Sequence, residues 1–358
     1  MNKQKESEAF IMKFNCSNEN HFALAEQSGD NSVLYCVSNE GNTAKLELSE
    51  KITGLSFIDE KLYCVAHVRN KDSYGEKTVL HTFDTQLNEL SLEELTEDYR
   101  YRRLSAMAGE LLYILDFETG STNLEGDSRS FDEVSQLNFT KINIKTGERN
   151  EWDLDDWNDE ECSNALADLT DGYVTDIEAV HVFDGQLMLE CMVYNPDCVV
   201  ETDDSDCNED EMSDSDYVEW HSYPETICAN IEGKKLTNVY CFYSEFTNPN
   251  KYKLPFGGPE QKILNAVTLG HRTYLATDFN FYCIATSDQK YAAECWYRMG
   301  YNPDDELNPK YEKYRYFYGW NGKLVFEVRQ DSKIVGFRIC PAAFKEPSEQ
   351  EWAEIKLG

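Results

Sequence analysis

The chain has 358 residues and a formal net charge of −34, with 41% hydrophobic and 13% aromatic residues. That apolar content supplies a sizeable core and argues against global disorder. The charge argues against direct binding of nucleic-acid phosphates, which needs clustered Lys and Arg.

The N-terminal "MNKQKESEAFIMKFNC" lacks an apolar leader core, and no stretch reaches the roughly 18 apolar residues of a membrane span. Among the twelve cysteines there is no CxxC. These features predict a cytoplasmic or nuclear protein with reduced thiols and no membrane partner. The glycosylation-type triplets at Asn15 and Asn138 are then chance matches.

In chain order, "FIMKF" and "HFALA" precede a hairpin pattern, "VLYCVSNEGNTAKLELS", at 33–49. Five longer segments then repeat one theme. They are "ITGLSFIDEKLYCVAHVR" from Ile52, "YRRLSAMAGELLYILDFE" from Tyr101 and "IEAVHVFDGQLMLECMVY" from Ile177, with "ILNAVTLGHRTYLATDFN" from Ile263 and "YRYFYGWNGKLVFEVRQD" from Tyr314. Each reads as strand, turn and strand. A second hairpin follows each, at 79–95, 139–156, 239–255, 281–296 and 334–357. Two hairpins make a four-stranded blade, and blades bury their faces only by stacking around a channel. The predicted fold is all-β: a six-bladed β-propeller of four-stranded antiparallel blades, with five or seven blades as alternatives. One domain would span 1–358, with little helix outside the insertions.

Several motifs resemble the kelch repeat. In "INIKTGERNEWDL", Thr146-Gly147 would turn and Trp152 would pack between blades; "WNGKLVFEV", "FDGQLMLEC" and "AGELLYIL" are similar to the first kelch hairpin. The resemblance covers most of the chain, but the glycine doublet that ends the second kelch strand is absent, and Gly257-Gly258 falls between blades. In kelch-like blades, loops joining strands two and three share a face with the inter-blade connections. The long segments 116–138, 155–176, 195–236 and 297–313 would all land there, and such displayed loops usually carry recognition. "EDYRYRR" (97–103) and "PKYEKYRYFY" (309–318) lie on the same face. Tyr99, Arg100, Tyr101, Arg102, Tyr311, Tyr314, Arg315 and Tyr316 are the interface candidates, against a plainer role in packing blades together.

"ETDDSDCNEDEMSDSDYVE" (201–219) holds ten acidic residues and no basic one. It marks an acidic insertion at about 197–220 that is expected to be disordered. Asp203, Asp204, Asp206, Glu209, Asp210, Glu211, Asp214 and Asp216 would dock a Lys/Arg-rich protein, and Ser213 fits an acidophilic kinase.

The residues give little chemistry. His21, His67, His81, His181, His221 and His271 never pair at strand or helical spacing, so no metal or other cofactor is expected. Cys36, Cys64, Cys241 and Cys283 each follow a tyrosine in a strand, which reads as core. Asp59, Asp184 and Asn321 are turn formers first. No G-x-S-x-G or glycine-rich phosphate loop occurs. The leading expectation is a non-enzymatic adaptor, scaffold or regulator that binds a protein through the loop-rich face; the alternative is an enzyme with its site at the mouth of the central channel. The oligomeric state stays open.

Overall fold

The computed structural model describes residues 12–70, 75–100, 102–123, 130–153, 172–183, 186–195, 221–231, 235–238, 263–277, 280–287, 290–298, 314, 316–330 and 333–357. Six antiparallel sheets of four consecutive strands account for nearly all of them. The first blade comprises β1 (Met12–Ser17), β2 (His21–Ser28), β3 (Asn31–Ser38) and β4 (Thr43–Leu48). The second has β5 (Lys51–Ile58), β6 (Lys61–Arg69), β7 (Glu76–Phe83) and β8 (Glu89–Glu94), and the third β9 (Arg103–Ala108), β10 (Leu111–Asn123), β11 (Ser130–Asn143) and β12 (Arg149–Asp153). Blade four has β13 (Tyr173–Phe183), β14 (Gln186–Tyr194), β15 (Ser222–Asn230) and β16 (Lys235–Asn238). Blade five has β17 (Ile263–Leu269), β18 (Arg272–Thr277), β19 (Asn280–Ser287) and β20 (Lys290–Arg298). Blade six has β21 (Phe317–Trp320), β22 (Lys323–Gln330), β23 (Lys333–Pro341) and β24 (Ala353–Lys356). The six-bladed propeller expected from the repeats is the observed fold.

Period-two alternation explains the packing. Tyr35 and Cys36 are neighbours on β3 and both are buried, yet on opposite faces. Tyr35 joins a cluster with Phe337 and Trp320 of blade six, whereas Cys36 joins Cys64 and Leu62 of blade two. Similar clusters link blades two and three, three and four, and five and six. Blades one, two, three and six are therefore sandwiched between two such clusters, which is why their strands read as nearly continuous apolar runs. First strands of successive blades touch one another (β1 with β5, β5 with β9, β9 with β13, β17 with β21), so they are innermost and line the channel.

Among the described residues, no blade borrows a strand from the other end of the chain. Blades six and one meet, among those residues, without a main-chain ladder, through side chains that pack together or donate to main-chain carbonyls. Trp320 Nε1 donates to the Asn18 carbonyl (2.9 Å) and Asn321 Nδ2 to the Glu19 carbonyl (2.5 Å) on the hairpin-turn face. Lys13, Glu26, Glu327 and Arg329 interlock towards the other face.

Two sequence assignments change. Residues 116–123 and 130–138 are strand and not loop: β10 and β11 pair antiparallel from Leu111↔Asn143 to Asn123↔Ser130, with one bulge after Glu118. Val134 and Leu137 are buried in the core shared with blade four, and Phe131 packs on Tyr173 and Tyr194 of that blade, which extends the pairing beyond ordinary strand length. In blade four the third strand is Ser222–Asn230, paired with β14 from Leu187↔Ala229 to Tyr194↔Ser222, and the fourth is Lys235–Asn238. The second hairpin expected at 239–255 was thus one strand pair too late; residues 239–262 lie outside the described set.

Candidate functional site: the loop-face mouth of the channel

Strands one and three of a blade run in one direction and strands two and four in the other. The β1 start, the β6 end, the β7 start and the β9 start consequently share the face that carries the inter-blade connections. Three innermost strands are bulged near this face, at Thr53, Thr175 and Leu264. A bulge turns a side chain out of the regular alternation.

At the seam of blades two and three, Thr53 (β5), His67 (β6), Glu76 (β7) and Ser105 (β9) form one continuous chain of hydrogen bonds. Ser105 Oγ lies 3.1 Å from His67 Nε2, and His67 Nδ1 lies 3.0 Å from Glu76 Oε2. Thr53 Oγ1 is 2.5 Å from Ser105 Oγ. With the imidazole proton on Nδ1, facing the carboxylate, Nε2 accepts from the Ser105 hydroxyl, which accepts from Thr53. Burial drives the His67 pKa down and outweighs the opposing pull of Glu76, so the imidazole is neutral. Burial alone would raise the Glu76 pKa, but the His67 hydrogen bond and the charges of Lys51 and Arg69 hold it below the usual carboxylate range. The His67 side chain is 0% exposed, Glu76 is 17% exposed, and Ser105 as a residue is 6% exposed.

The connection between blades two and three fixes this relay. The Arg103 guanidinium is buried and fully engaged. Its Nε and Nη2 grip Asp116 (2.5 and 2.8 Å), while Nη1 reaches the Glu76 carbonyl (2.9 Å), Thr96 Oγ1 (2.7 Å) and the Asp98 carbonyl (3.0 Å). Residues 96–100 are thereby drawn over β7, where Glu76 and Arg100 exchange both backbone hydrogen bonds (2.7 and 3.1 Å). Gly75 permits the crossing, since a Cβ there would sit 2.8 Å from Tyr99 Cβ. Beside it opens a cleft of about 1100 Å³, bordered by Arg100, Arg102, Arg103, Asp116, Glu118 and Trp152 among others.

A second polar knot closes the seam of blades six and one. The Glu327 side chain is 0% exposed and accepts from Lys13 Nζ (2.7 Å to each oxygen), Arg329 Nη1 (2.6 Å) and Tyr318 OH (2.5 Å). Arg329 Nη2 also reaches Glu26 (2.7 Å), and the Tyr316 ring lies 3.5 Å from Lys13 Nζ. Burial lowers the Lys13 pKa despite the carboxylates around it and raises that of Tyr318. Lys13, Asn15, Asn265, Tyr316 and Tyr318 border a channel cavity of about 590 Å³. No group of three or more metal-ligating side chains assembles among the described residues.

The interface candidates scatter. Tyr99 is 41% exposed with Lys77 Nζ 4.9 Å from its ring, and Arg100 pairs with Asp98 and Glu118. Arg102 pairs with Asp176 of blade four, over the Phe117 ring. Tyr314 is 3% exposed inside the core of blades five and six, its hydroxyl donating to Glu346, so it packs rather than presents itself. Tyr101, Tyr311 and Arg315 lie outside the described residues, as do Ser213 and all eight acidic docking candidates from Asp203 to Asp216. Sequence reading passed over Ser105 and Glu76 entirely. The one legible signal was that His67 and Glu76 become diagonal neighbours once Arg69 is set opposite Glu76 across β6 and β7.

No family model matches this chain, and no curated protein matches it. Solved structures do. The β-propeller domain of the Trilobed protease from Pyrococcus furiosus matches at 13% identity with a TM-score of 0.34, covering 92% of this chain and 78% of that one. Pyrococcus horikoshii acylaminoacyl peptidase matches at 10% identity and 0.33, covering 97% and 52%. Prolyl oligopeptidase B from Galerina marginata matches at 7% identity and 0.36, covering 94% and 40%. The chain thus spans about half or less of the two peptidase chains. The expectation of a non-enzymatic adaptor is corrected by these matches, whose propellers belong mainly to peptidases and hydrolases. What the chain shares with them is the propeller architecture.

Proposed function

We propose that this propeller is a hydrolase of the acyl-transfer class, with its site at the loop-face mouth of the channel between blades two and three. The observation that carries the reading is the Glu76–His67–Ser105 relay, whose two links measure 3.0 and 3.1 Å. Neutral His67 is the base: it takes the Ser105 hydroxyl proton on Nε2 as Oγ attacks an ester or amide carbonyl carbon. Ionised Glu76 holds the ring in the required tautomer and balances the imidazolium that forms. The leaving alcohol or amine then departs with that proton, and water, activated by the same imidazole, cleaves the acyl-Ser105 ester. The Thr53 hydroxyl occupies one lone pair of Ser105 Oγ and leaves another for the attack. Ser105 and Thr53 stand on innermost strands, so substrate arrives by way of the channel.

The kelch likeness and an intracellular setting accompany this proposal. The loose repeat motifs support the first, and the buried free thiols of Cys36, Cys64, Cys191 and Cys283 support the second. No described helix is long and apolar enough to cross a membrane.

The test is covalent labelling. Wild-type protein treated with a fluorophosphonate should gain one adduct, mapped by peptide mass spectrometry to Ser105. Ser105→Ala and His67→Gln should abolish both the adduct and the burst of p-nitrophenol from p-nitrophenyl acetate. If wild-type protein takes no label, or if Ser105→Ala labels equally, the assignment of Ser105 as nucleophile is wrong.

A further inference from the structure

Outer strands of this propeller turn alternate side chains towards a neighbouring blade. In β4, Leu46 and Leu48 are partly buried against the core of blades one and two; in β12, Trp152 packs against the core of blades three and four. Ile355 of β24 does the same between blades six and one. Strand β8 departs from this rule, since all six of its residues, "ELSLEE", are exposed. Leu90 and Leu92 are 52% and 55% exposed, the two most open large apolar side chains among the described residues, with Leu90 in a bulge between Ser91 and Glu89. The outer edge of β8 has no strand partner among those residues, because it ends the β5-β6-β7-β8 sheet.

An open edge bearing exposed leucines is a hazard that proteins usually suppress with short strands, lysines or prolines. Here the strand is six residues long, is interrupted by a bulge at Leu90 and is anchored as well. Glu89 pairs with His81 (2.7 Å) and Glu94 with Lys77 (3.2 Å), which holds the strand on its sheet. Glu93 lies on the same strand, and Glu97 and Asp98 follow it closely.

We infer that the β8 edge is a docking site for an extended, lysine- or arginine-rich segment of a partner protein, which adds a fifth strand to blade two. The edge supplies main-chain hydrogen bonds on either side of its bulge, Leu90 and Leu92 supply apolar contact, and Glu93 with the nearby Glu97 supplies charge complementarity, since Glu89 and Glu94 already face His81 and Lys77. That complementarity selects the occupant. A second copy of this chain would set glutamates against glutamates, in a protein already carrying a net charge of −34. The surface is separate from the relay between blades two and three and does not depend on it.

The probe is a fluorescein-labelled peptide of four Lys-Val repeats, with four Glu-Val repeats as control. Fluorescence anisotropy of the full chain should rise with the lysine peptide only. Leu90→Ser combined with Leu92→Ser should weaken that binding about tenfold or more, while the melting temperature stays at the wild-type value because both side chains are exposed. Amide exchange at 89–94 should slow when the lysine peptide is added to wild-type protein. Equal binding of the two peptides, undiminished binding by the double variant, or no binding of the lysine peptide would each overturn the inference. A wild-type dimer that the double variant dissolves would assign the edge to a second copy and overturn it as well.

Discussion

His67 and His81 lie on adjacent strands of blade two, yet their surroundings push them in opposite directions. His81 is wedged between Glu50 (2.5 Å) and Glu89 (2.7 Å) and stacked on Phe83; burial opposes its charge, but the two carboxylates win and its pKa is raised. His67 has one carboxylate and deeper burial, and its pKa is lowered. The linkage signs follow. The His81 contribution is complete below about pH 6.5, the unfolded value, and is lost as pH rises through the higher folded value. The His67 contribution is complete above about pH 6.5 and is lost as pH falls towards the lower folded value. Urea denaturation across pH 5–8 should therefore show a flatter alkaline fall in stability for His81→Gln and a flatter acid fall for His67→Gln. Parallel pH profiles for the two variants would contradict the opposed environments. None of this was legible beforehand. The six histidines show no useful spacing, because Glu50 reaches His81 across a blade seam and Ser105 reaches His67 across another.

At the scale of the strand and turn, far more could be read. Hairpins announce themselves through local rules, namely alternation of apolar residues and short turns that demand positive φ. Asn321-Gly322 satisfies that demand with φ of 48° and 68°. The β5–β6 turn uses Asp59-Glu60, at 47° and 62°, so a side-chain-bearing glutamate holds a glycine conformation. Left-handed backbone costs such a residue roughly 1–2 kcal/mol. Glu60→Gly should raise stability by about 1 kcal/mol in chemical denaturation, since its 3.7 Å contact with His21 is an exposed and weak one. Unchanged or lower stability would mean the turn is not strained. The same local rules explain the error in blade four. "SYPETICAN" contains Pro224, which argues against a strand, whereas "VYCFYSEF" at 239–246 has the stronger β composition. Likewise the hairpin of β10 and β11 passed for a loop, since "GSTNLEGDSRS" (120–130) is turn-like in composition and its pairing is sustained by contacts with blade four.

Across the whole molecule, blade count followed from repetition, whereas the way the ring shuts did not. The six–one seam concentrates two cations on two carboxylates with Glu327 at the centre, wholly buried. Removing one member of such a group leaves its partners buried without compensation, a loss on the order of 3–5 kcal/mol. Glu327→Leu should show a loss of this size by denaturation, together with faster amide exchange in β1, β2, β21 and β22. A loss below about 1 kcal/mol would show that the ring holds shut through Trp320, Phe22 and Phe337 alone, since surface pairs contribute no more than that.

The self-contained blades also bear on the order in which the molecule is made. Every strand ladder joins segments consecutive in the sequence, so each blade can form its backbone hydrogen bonds as soon as its own residues have left the ribosome. The contact between β1 and β22, such as Lys13 with Glu327, is 314 residues apart along the chain and has no ladder to guide it. Chain-closure entropy of that separation is met only when the last blade arrives. Until then a nascent chain exposes the blade-one face carrying Phe22, Leu24 and Tyr35, and like-charge repulsion in a chain of net charge −34 works against its association.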